Sequence, residues 1–373
     1  MKTLSFLLPA CLWLLVSQIV TATPYTVAVD LSGYTNSASV SGDATILTTA
    51  HANVSDILMI GRSDGLIAFL NAVTLVPIYN STSSFRQHTK AVRKLQVANS
   101  NGVEYAITAG IDYKLIIWQV STASVLASRN LDSSMLYDVC WNGANIYVVS
   151  NAGYLYKLSL PTGATVSSVN VDQASYSVSC NAGEVAVGSA NGKISIYNAI
   201  TLALRTSFMT PTTYPTAIFN VPSAKVVYTS SDVDQRFQIT SENGTTVNTF
   251  WGASPRTTGV SPSLDPTKIW FAGDGKAVRF DTTTNLFTNT IDFAMTASYS
   301  GPSVFAVTER LRPNLTIYGA MSSSIYVFNA TVPDNAMGII PYTLRNTGTT
   351  LSTHPSSPDL ACYNGDAQSL VNG

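Results

Sequence analysis

The chain is short of charge. Only 11% of its 373 residues are Asp, Glu, Lys or Arg, and 20 basic side chains against 21 acidic ones leave a formal net charge of −1. Nucleic-acid binding rests on a clustered basic surface, so no nucleic-acid partner is expected. Histidine is scarcer still, with only His51, His88 and His354. None of the four Glu (Glu104, Glu184, Glu242 and Glu309) sits in a motif that pairs carboxylates for glycoside hydrolysis. There is no H-E-x-x-H motif, no phosphate-cradling glycine loop and no Ser-x-Asp-x-Gly-x-Thr-Trp box. Asp232-Val-Asp234 offers oxygens of the kind Ca²⁺ takes, but a surface turn with two acids is the simpler reading. No catalytic residue, metal site or cofactor is expected.

Long apolar runs are also rare. One stretch, Leu4 to Val20, follows a short basic start at Lys2 and ends in small residues at Val20 and Ala22. Residues 1–22 therefore read as a secretory signal peptide. No later stretch approaches the roughly 18 uninterrupted apolar residues of a membrane span. The C-terminal Q-S-L-V-N-G lacks the hydrophobic tail of a lipid-anchor signal and is not an ER-retention sequence. The expected location is secreted and extracellular. Cysteine is sparse too. Beyond the leader only Cys140, Cys180 and Cys362 remain, and an odd count leaves one thiol free or bonded between chains. Cys362 is the candidate for an intermolecular bond.

Apolar residues (46%), Ser and Thr are present in abundance. Five N-x-Ser/Thr sequons begin at Asn53, Asn80, Asn243, Asn314 and Asn329, and behind a signal peptide they predict a glycoprotein. Segments such as I-L-M-I-G-R-S-D-G-L-I-A-F-L and V-A-V-G-S-A-N-G-K-I-S-I-Y are pairs of apolar strands joined by tight polar turns. Asp64-Gly65, Asn191-Gly192 and Asp274-Gly275 supply hairpin turn chemistry, because Gly accepts positive φ. No long 3.6-residue pattern competes, so the expectation is all-β.

The best-marked stretch runs from His88 to Trp118 (H-T-K-A-V-R-K-L-Q-V-A-N-S-N-G-V-E-Y-A-I-T-A-G-I-D-Y-K-L-I-I-W). It resembles one repeat of the WD40 family, within the wider WD40-like and YVTN-quinoprotein-like group of seven-bladed β-propellers. The resemblance implies a blade of four antiparallel strands, a to d. It places His88 before strand a, Thr108 on strand b, Asp112 in the b–c turn and Trp118 on strand c. It further implies a hydrogen-bond chain from Trp118 to Thr108, on to His88, and on to Asp112. Elementary chemistry agrees, since a buried indole N–H needs an acceptor and an imidazole between an acid and a hydroxyl is fully paired. The rival reading is a catalytic Asp-His-Thr triad. It is disfavoured, because the hydroxyl would point along a sheet interior and no oxyanion-hole motif accompanies it.

Taking Trp118 as reference, equivalent strand-c residues recur at Leu70, Leu158, Tyr197, Ile239, Phe280 and Phe328, about 40 to 48 residues apart, as propeller blades do. The expected architecture is a seven-bladed β-propeller of four-stranded antiparallel blades over residues 23–345. Strand a of the first blade starts near Ala44, which leaves Tyr25–Leu31 to close the ring as the outer strand of the last blade. Gly338–Leu344 competes for that place, with Pro341 against it. Residues 346–373 form a Ser/Thr/Pro-rich tail. Cys140 and Cys180 fall at similar places on strand a of the third and fourth blades. Adjacent blades often hold Cα atoms more than about 7 Å apart, so two buried thiols are preferred over a disulfide.

This topology puts the a–b and c–d turns on a lower face and the b–c and d–a connections on an upper one. Four sequons (Asn53, Asn243, Asn314 and Asn329) map to the lower face, and Asn80 maps to the upper. The upper face would present Arg62, Asp64, Tyr113, Tyr154, Asp232, Asp234 and Lys276 from b–c turns. From d–a connections it would present Phe85, Arg86, Tyr137, Tyr176, Tyr214, Trp251, Arg256 and Tyr299. Tyr and Arg are enriched in binding hot spots, although single tyrosines of this kind more often pack between blades. The expected function is a secreted, non-catalytic module binding an extracellular protein or glycan. One alternative is a structural subunit of an extracellular coat or filament, self-assembling through a terminal strand or the tail. Another is a propeller enzyme, either a hydrolase or a quinoprotein-like oxidoreductase.

Overall fold

The structure is a computed structural model. It describes residues 29–30, 44–79, 85–181, 183–210, 215–221, 225–231, 236–251, 257–263, 265, 267–273, 276–284, 286–292, 304–310, 316–321 and 324–329, and all structural statements concern these. Among them the protein is all-β, with 27 strands in seven antiparallel sheets. β1 is Val29–Asp30. Sheet I holds β2 (Ile46–Ala52), β3 (Ile57–Arg62) and β4 (Ile67–Asn71). Sheet II holds β5 (Val92–Ser100), β6 (Val103–Gly110), β7 (Lys114–Gln119) and β8 (Ser124–Asn130). Sheet III holds β9 (Leu136–Asn142), β10 (Asn145–Ser150), β11 (Tyr154–Ser159) and β12 (Thr165–Asn170). Sheet IV holds β13 (Ser175–Cys180), β14 (Glu184–Ser189), β15 (Lys193–Asn198) and β16 (Leu204–Met209). Sheet V holds β17 (Pro215–Val221), β18 (Val226–Ser231), β19 (Arg236–Ser241) and β20 (Thr246–Trp251). Sheet VI holds β21 (Thr257–Pro262), β22 (Lys268–Gly273), β23 (Lys276–Asp281) and β24 (Leu286–Asp292). Sheet VII holds β25 (Val304–Arg310), β26 (Thr316–Met321) and β27 (Ser324–Asn329).

Within each sheet the strands pair in chain order. β1 adds to sheet VII beside β27, Val29 opposite Ile325 and Asp30 opposite Ser324. The rival segment 338–344 lies outside the described residues. The first strand of each sheet packs against the first strand of the next, and β25 packs against β2. Middle strands are therefore buried on both faces, and their sequences are continuous apolar runs rather than alternations. One core joins Met59 and Phe69 of sheet I to Ile116 and Trp118 of sheet II. Another joins Ile107 and Ile117 to Val148 and Leu158. The last joins Tyr318 and Ile325 of sheet VII to Leu58 and Ile60 of sheet I. Fourth strands such as β8 and β12 are largely exposed, which suits their Ser- and Thr-rich sequences.

Two features depart from the sequence expectation. Sheet I has three strands, and in the place of a fourth it has one isolated bridge, Leu70 to Pro77. The bridge is made by the Asn71 N–H to Val76 O at 2.8 Å and the Ile78 N–H to Phe69 O at 3.0 Å. In sheet V the residue equivalent to Trp118 is Thr240, opposite Val227, and not Ile239. The bulge between β19 and β20 follows Ile239, whereas the matching bulge in sheet II precedes Trp118. A slip of one residue turns a strand side chain to the other face. Ile239 accordingly packs with Tyr228, Phe271 and Phe280 towards sheet VI.

Candidate functional site

The residues around His88 assemble in the interior of sheet II. His88 Nδ1 lies 2.8 Å from Asp112 Oδ1, and its Nε2 lies 2.8 Å from Thr108 Oγ1. Trp118 Nε1 donates to Thr108 Oγ1 at 3.2 Å, and the Thr89 backbone N–H donates to Asp112 Oδ2 at 2.8 Å. The arrangement is satisfied if Nδ1 carries the proton towards Asp112 and the Thr108 hydroxyl donates to Nε2. Burial alone would raise the Asp112 carboxyl. The hydrogen bond from His88, with the N–H groups of Thr89 and Lys114, outweighs it and holds the carboxyl below its ordinary value. All four side chains are buried, so no substrate reaches the hydroxyl. Gly110 makes the room, because a Cβ there would meet both Asp112 Oδ1 and His88 Nδ1.

Sister sheets keep fragments of this arrangement. In sheet I, Asp64 occupies the Asp112 position. It accepts from Arg62 Nη2 at 3.1 Å and Arg86 Nη2 at 2.7 Å. Arg62 is 1% exposed, so the expectation that it meets a ligand is corrected. Its neighbours bury it under the turn, and it braces Asp64. In sheet III, Asp132 stands where His88 does. It accepts from Ser150 Oγ at 3.0 Å and Tyr156 OH at 2.8 Å. Burial, then Asp132, pushes the Tyr156 phenol upwards. The sequence signal was the acid four residues before the strand.

Residues 61–65 also spell G-x-S-x-G (Gly61-Arg62-Ser63-Asp64-Gly65), the pattern of a hydrolase nucleophile turn. That chemistry needs a strand-to-helix elbow. Here the segment is the hairpin between β3 and β4, and Ser63 Oγ accepts from the Thr45 N–H at 3.0 Å.

At the end of the sheets that carries these hairpins, the first strands share one more device. In all seven the register shifts by one residue near the strand start. The residues set out by the bulges are Leu47, Arg93, Tyr137, Tyr176, Thr216, Thr258 and Phe305. A bulge re-aims its side chain away from the pleat. Arg93 is exposed, with its guanidinium 5.6 Å from the centre of the Tyr137 ring. Tyr137 packs edge-on to Tyr176, centroids 4.8 Å apart. Lys90 Nζ lies 5.6 Å over the Tyr113 ring. Tyr113 has φ +73°, whereas Gly65, Gly153 and Gly192 hold the equivalent place in three sister hairpins. Tyr154 is half-buried beside Tyr156, and Phe85 packs on Phe69. The expected residues Asn80, Tyr214, Asp232, Asp234, Arg256, Tyr299 and Asn314, with Cys362, lie outside the described residues. The side chains of Trp251, Lys276 and Asn329 do as well.

The opposite end is built differently. Asn53 and Asn243 are exposed in turns there, and Asn329 ends β27 at the same end. All four Glu lie at this end, and each bonds a neighbouring sheet or that sheet's turn. Glu104 accepts from the Val54 and Ser55 N–H groups at 2.7 and 2.9 Å. Glu184 accepts from Asn220 Nδ2 at 3.1 Å. Glu242 pairs with Arg205 at 2.5 Å. Glu309 accepts from Trp270 Nε1 at 2.6 Å and Ser263 Oγ at 2.8 Å, with Arg279 3.6 Å away. Arg310 of β25 grips Asp56 of sheet I through two bonds of 2.5 and 2.6 Å.

Cys140 and Cys180 form a disulfide between β9 and β13, with Cα atoms 5.9 Å apart. This corrects the preference for two thiols. The first strands approach more closely at this end than adjacent propeller blades were expected to. Among the described residues no three His, Cys, Asp or Glu side chains gather as a metal site would need, and no helix is long and apolar enough to cross a membrane. No protein-family model matches the chain, and no curated protein matches its sequence.

Proposed function

We propose that the chain is a secreted, glycosylated, non-catalytic seven-bladed β-propeller of WD40-like type. It binds an extracellular protein or glycan through the face that carries the b–c turns. Sheets I to VII are the blades, and β1 closes the ring on the seventh. The observation that carries this reading is the contrast between the two ends. Sequons at Asn53, Asn243 and Asn329 cluster at one end, where every Glu is engaged across a sheet boundary. At the other end Arg93 and Lys90 are exposed over tyrosine rings. Glycans would shield the first end and leave the second for a partner.

Site-by-site glycopeptide analysis of the secreted protein tests the shielding. The expected result is occupancy at Asn53 and Asn243. Empty sites there with an occupied Asn80 overturn it. A glycan wedge tests the face. Thr89→Asn with Ala91→Thr installs a sequon beside Lys90 and should abolish partner capture, while removal of the Asn53 sequon should not.

A second reading, an assembling coat subunit, is favoured by the edge of sheet I, where Val76 and Ile78 are exposed and, among the described residues, one bridge covers β4. An unpaired strand edge is a template for another chain. Solution mass with and without residues 335–373 discriminates: a monomer in both cases removes this reading.

A further inference from the structure

The face proposed above carries one place where ligand chemistry can be read. Residues 89–93 of sheet II supply two exposed cations, Lys90 and Arg93, each lying over a tyrosine ring. Among the described residues neither makes an ion pair. The acids nearby are turned inward. Asp64 serves Arg62 and Arg86, Asp112 serves His88, and Asp132 serves Ser150 and Tyr156. Buried Asp138 accepts from the Val139 and Val178 N–H groups and faces Lys94 at 3.6 Å. The exception is exposed Asp172, in the loop that leads into β13 and Tyr176, and it pairs with neither cation.

Tyr113 is the second observation. A side chain at φ +73° is disfavoured for any residue but Gly, and three sister hairpins do use Gly there. Other turns of the molecule also hold a non-Gly residue at positive φ, Leu75 and Leu202 among them, so what sets Tyr113 apart is the ring it places under Lys90 where three sister hairpins have no side chain. Tyr137 and Tyr176 pack together with Arg93 over Tyr137, and Tyr113 carries Lys90 at the same end of the sheets. Exposed hydroxyls of Thr89 and Ser133 border these rings, with Met135 the one exposed apolar neighbour. A surface of rings, hydroxyls and unpaired cations suits a ligand that is ring-shaped, polyhydroxylated and anionic.

We propose that this surface, at the b–c-turn end of sheets II to IV, binds an acidic saccharide. Its sugar rings lie on Tyr113, Tyr137 and Tyr176, and its carboxylates or sulfates lie on Lys90 and Arg93. The inference rests on the binding-face reading and deepens it.

The test is calorimetric titration of the intact secreted protein with three probes: a galacturonic acid hexamer, the same hexamer fully methyl-esterified, and a sulfated hexasaccharide. At least one anionic probe should bind, and the neutral ester should bind at least tenfold more weakly. Arg93→Gln should bring acid and ester to similar affinity. Tyr137→Leu should weaken both. Tyr113→Gly should raise the unfolding temperature while weakening binding, a combination that a merely structural tyrosine would not give. Binding of ester and acid alike overturns the anionic class and leaves the face reading standing. Absence of binding to all three probes, or anionic binding that survives Arg93→Gln and Tyr113→Gly unchanged, overturns the site. The face reading itself fails separately, through partner capture that ignores the Thr89 glycan wedge.

Discussion

Sheet II and the sheets that follow it solve one problem in two ways. Each sheet must fix its strands and its place beside its neighbours. In sheet II a buried Trp118–Thr108–His88–Asp112 chain ties the third strand to the loop before the first, all within one sheet. Sheets III, V, VI and VII have no such chain among the described residues. They carry a large aromatic one residue before the Thr108 position: Tyr147, Tyr228, Trp270 and Tyr318. These rings reach outward. Tyr147 donates to Ala199 O at 2.7 Å, Tyr228 to Thr282 O at 3.3 Å and Tyr318 to Ala72 O at 2.6 Å. Trp270 donates to Glu309. Each acceptor belongs to the next sheet in order, and the three carbonyls each follow directly on a third strand. Adjacent positions on a strand face opposite ways, so a shift of one residue turns an internal latch into a bond between sheets.

The sharpest way to break the comparison is to delete the two centres. Trp118→Ala should cost about 3–5 kcal/mol, through a cavity beside Phe69 and the loss of the indole bond to Thr108. Urea denaturation with an unchanged slope would measure it, and a loss below about 1 kcal/mol would mean the latch does little. Next comes the disulfide, which closes a separation of 40 residues. Its removal as Cys140→Ser with Cys180→Ser should cost about 2–4 kcal/mol. Because it joins sheets III and IV, the loss should appear there first in hydrogen exchange.

How much of this was legible beforehand follows from the same contrast. The His88–Trp118 residues are far apart in sequence but of rare types at family-like spacing, so the resemblance placed all four. The aromatic latches use Tyr at ordinary apolar positions, and their acceptors are backbone carbonyls that any residue supplies. Nothing in Tyr147 or Tyr318 marks its partner. One trace was present: Asn71-Ala-Val-Thr-Leu75 and Asn198-Ala-Ile-Thr-Leu202 are near copies. In both, the Asn side chain caps the turn and the Leu takes φ +57°. Tyr137 and Tyr176 were expected on the upper face, but in d–a connections rather than at first-strand bulges, and Arg93 was not expected there. A bulge is a property of pairing between strands, and the sequence of one strand does not announce it. Arg62 misled because a charge in a polar turn usually faces water, and its burial depends on Asp64.

Removing single hydroxyls sharpens the comparison further. Tyr228→Phe and Tyr318→Phe each leave a turn carbonyl without its tyrosine donor and should cost about 1–3 kcal/mol, whereas Tyr147→Phe should cost less, because Lys157 Nζ also donates to Ala199 O at 3.0 Å. Burial already holds the Tyr228 and Tyr318 phenols near pKa 12, so these bonds persist through the alkaline range in which an ordinary tyrosine ionises. If the latches act between sheets, Tyr318→Phe should loosen the I–VII boundary and leave sheet II's exchange unchanged. Uniform loosening would assign these tyrosines to general packing.

The smallest effects are in the acid limb, where sheets II and III should differ in sign. The folded carboxyl of Asp112 lies below its ordinary value, through His88 and backbone N–H groups that overcome burial. Its stabilisation is complete above about pH 4 and is lost as pH falls through the folded value. Asp138 is the reverse: burial raises it, and Lys94 with two backbone N–H groups only partly opposes that. Its ionisation costs more in the folded than in the unfolded chain, so stability declines as pH rises from about 4 through the folded value. Unfolding free energy against pH should therefore climb less steeply near pH 4 in Asp112→Asn and more steeply in Asp138→Asn. Equal slopes in both variants would mean that the two carboxylates feel the same environment, and that the distinction drawn between the two sheets does not extend to their buried acids.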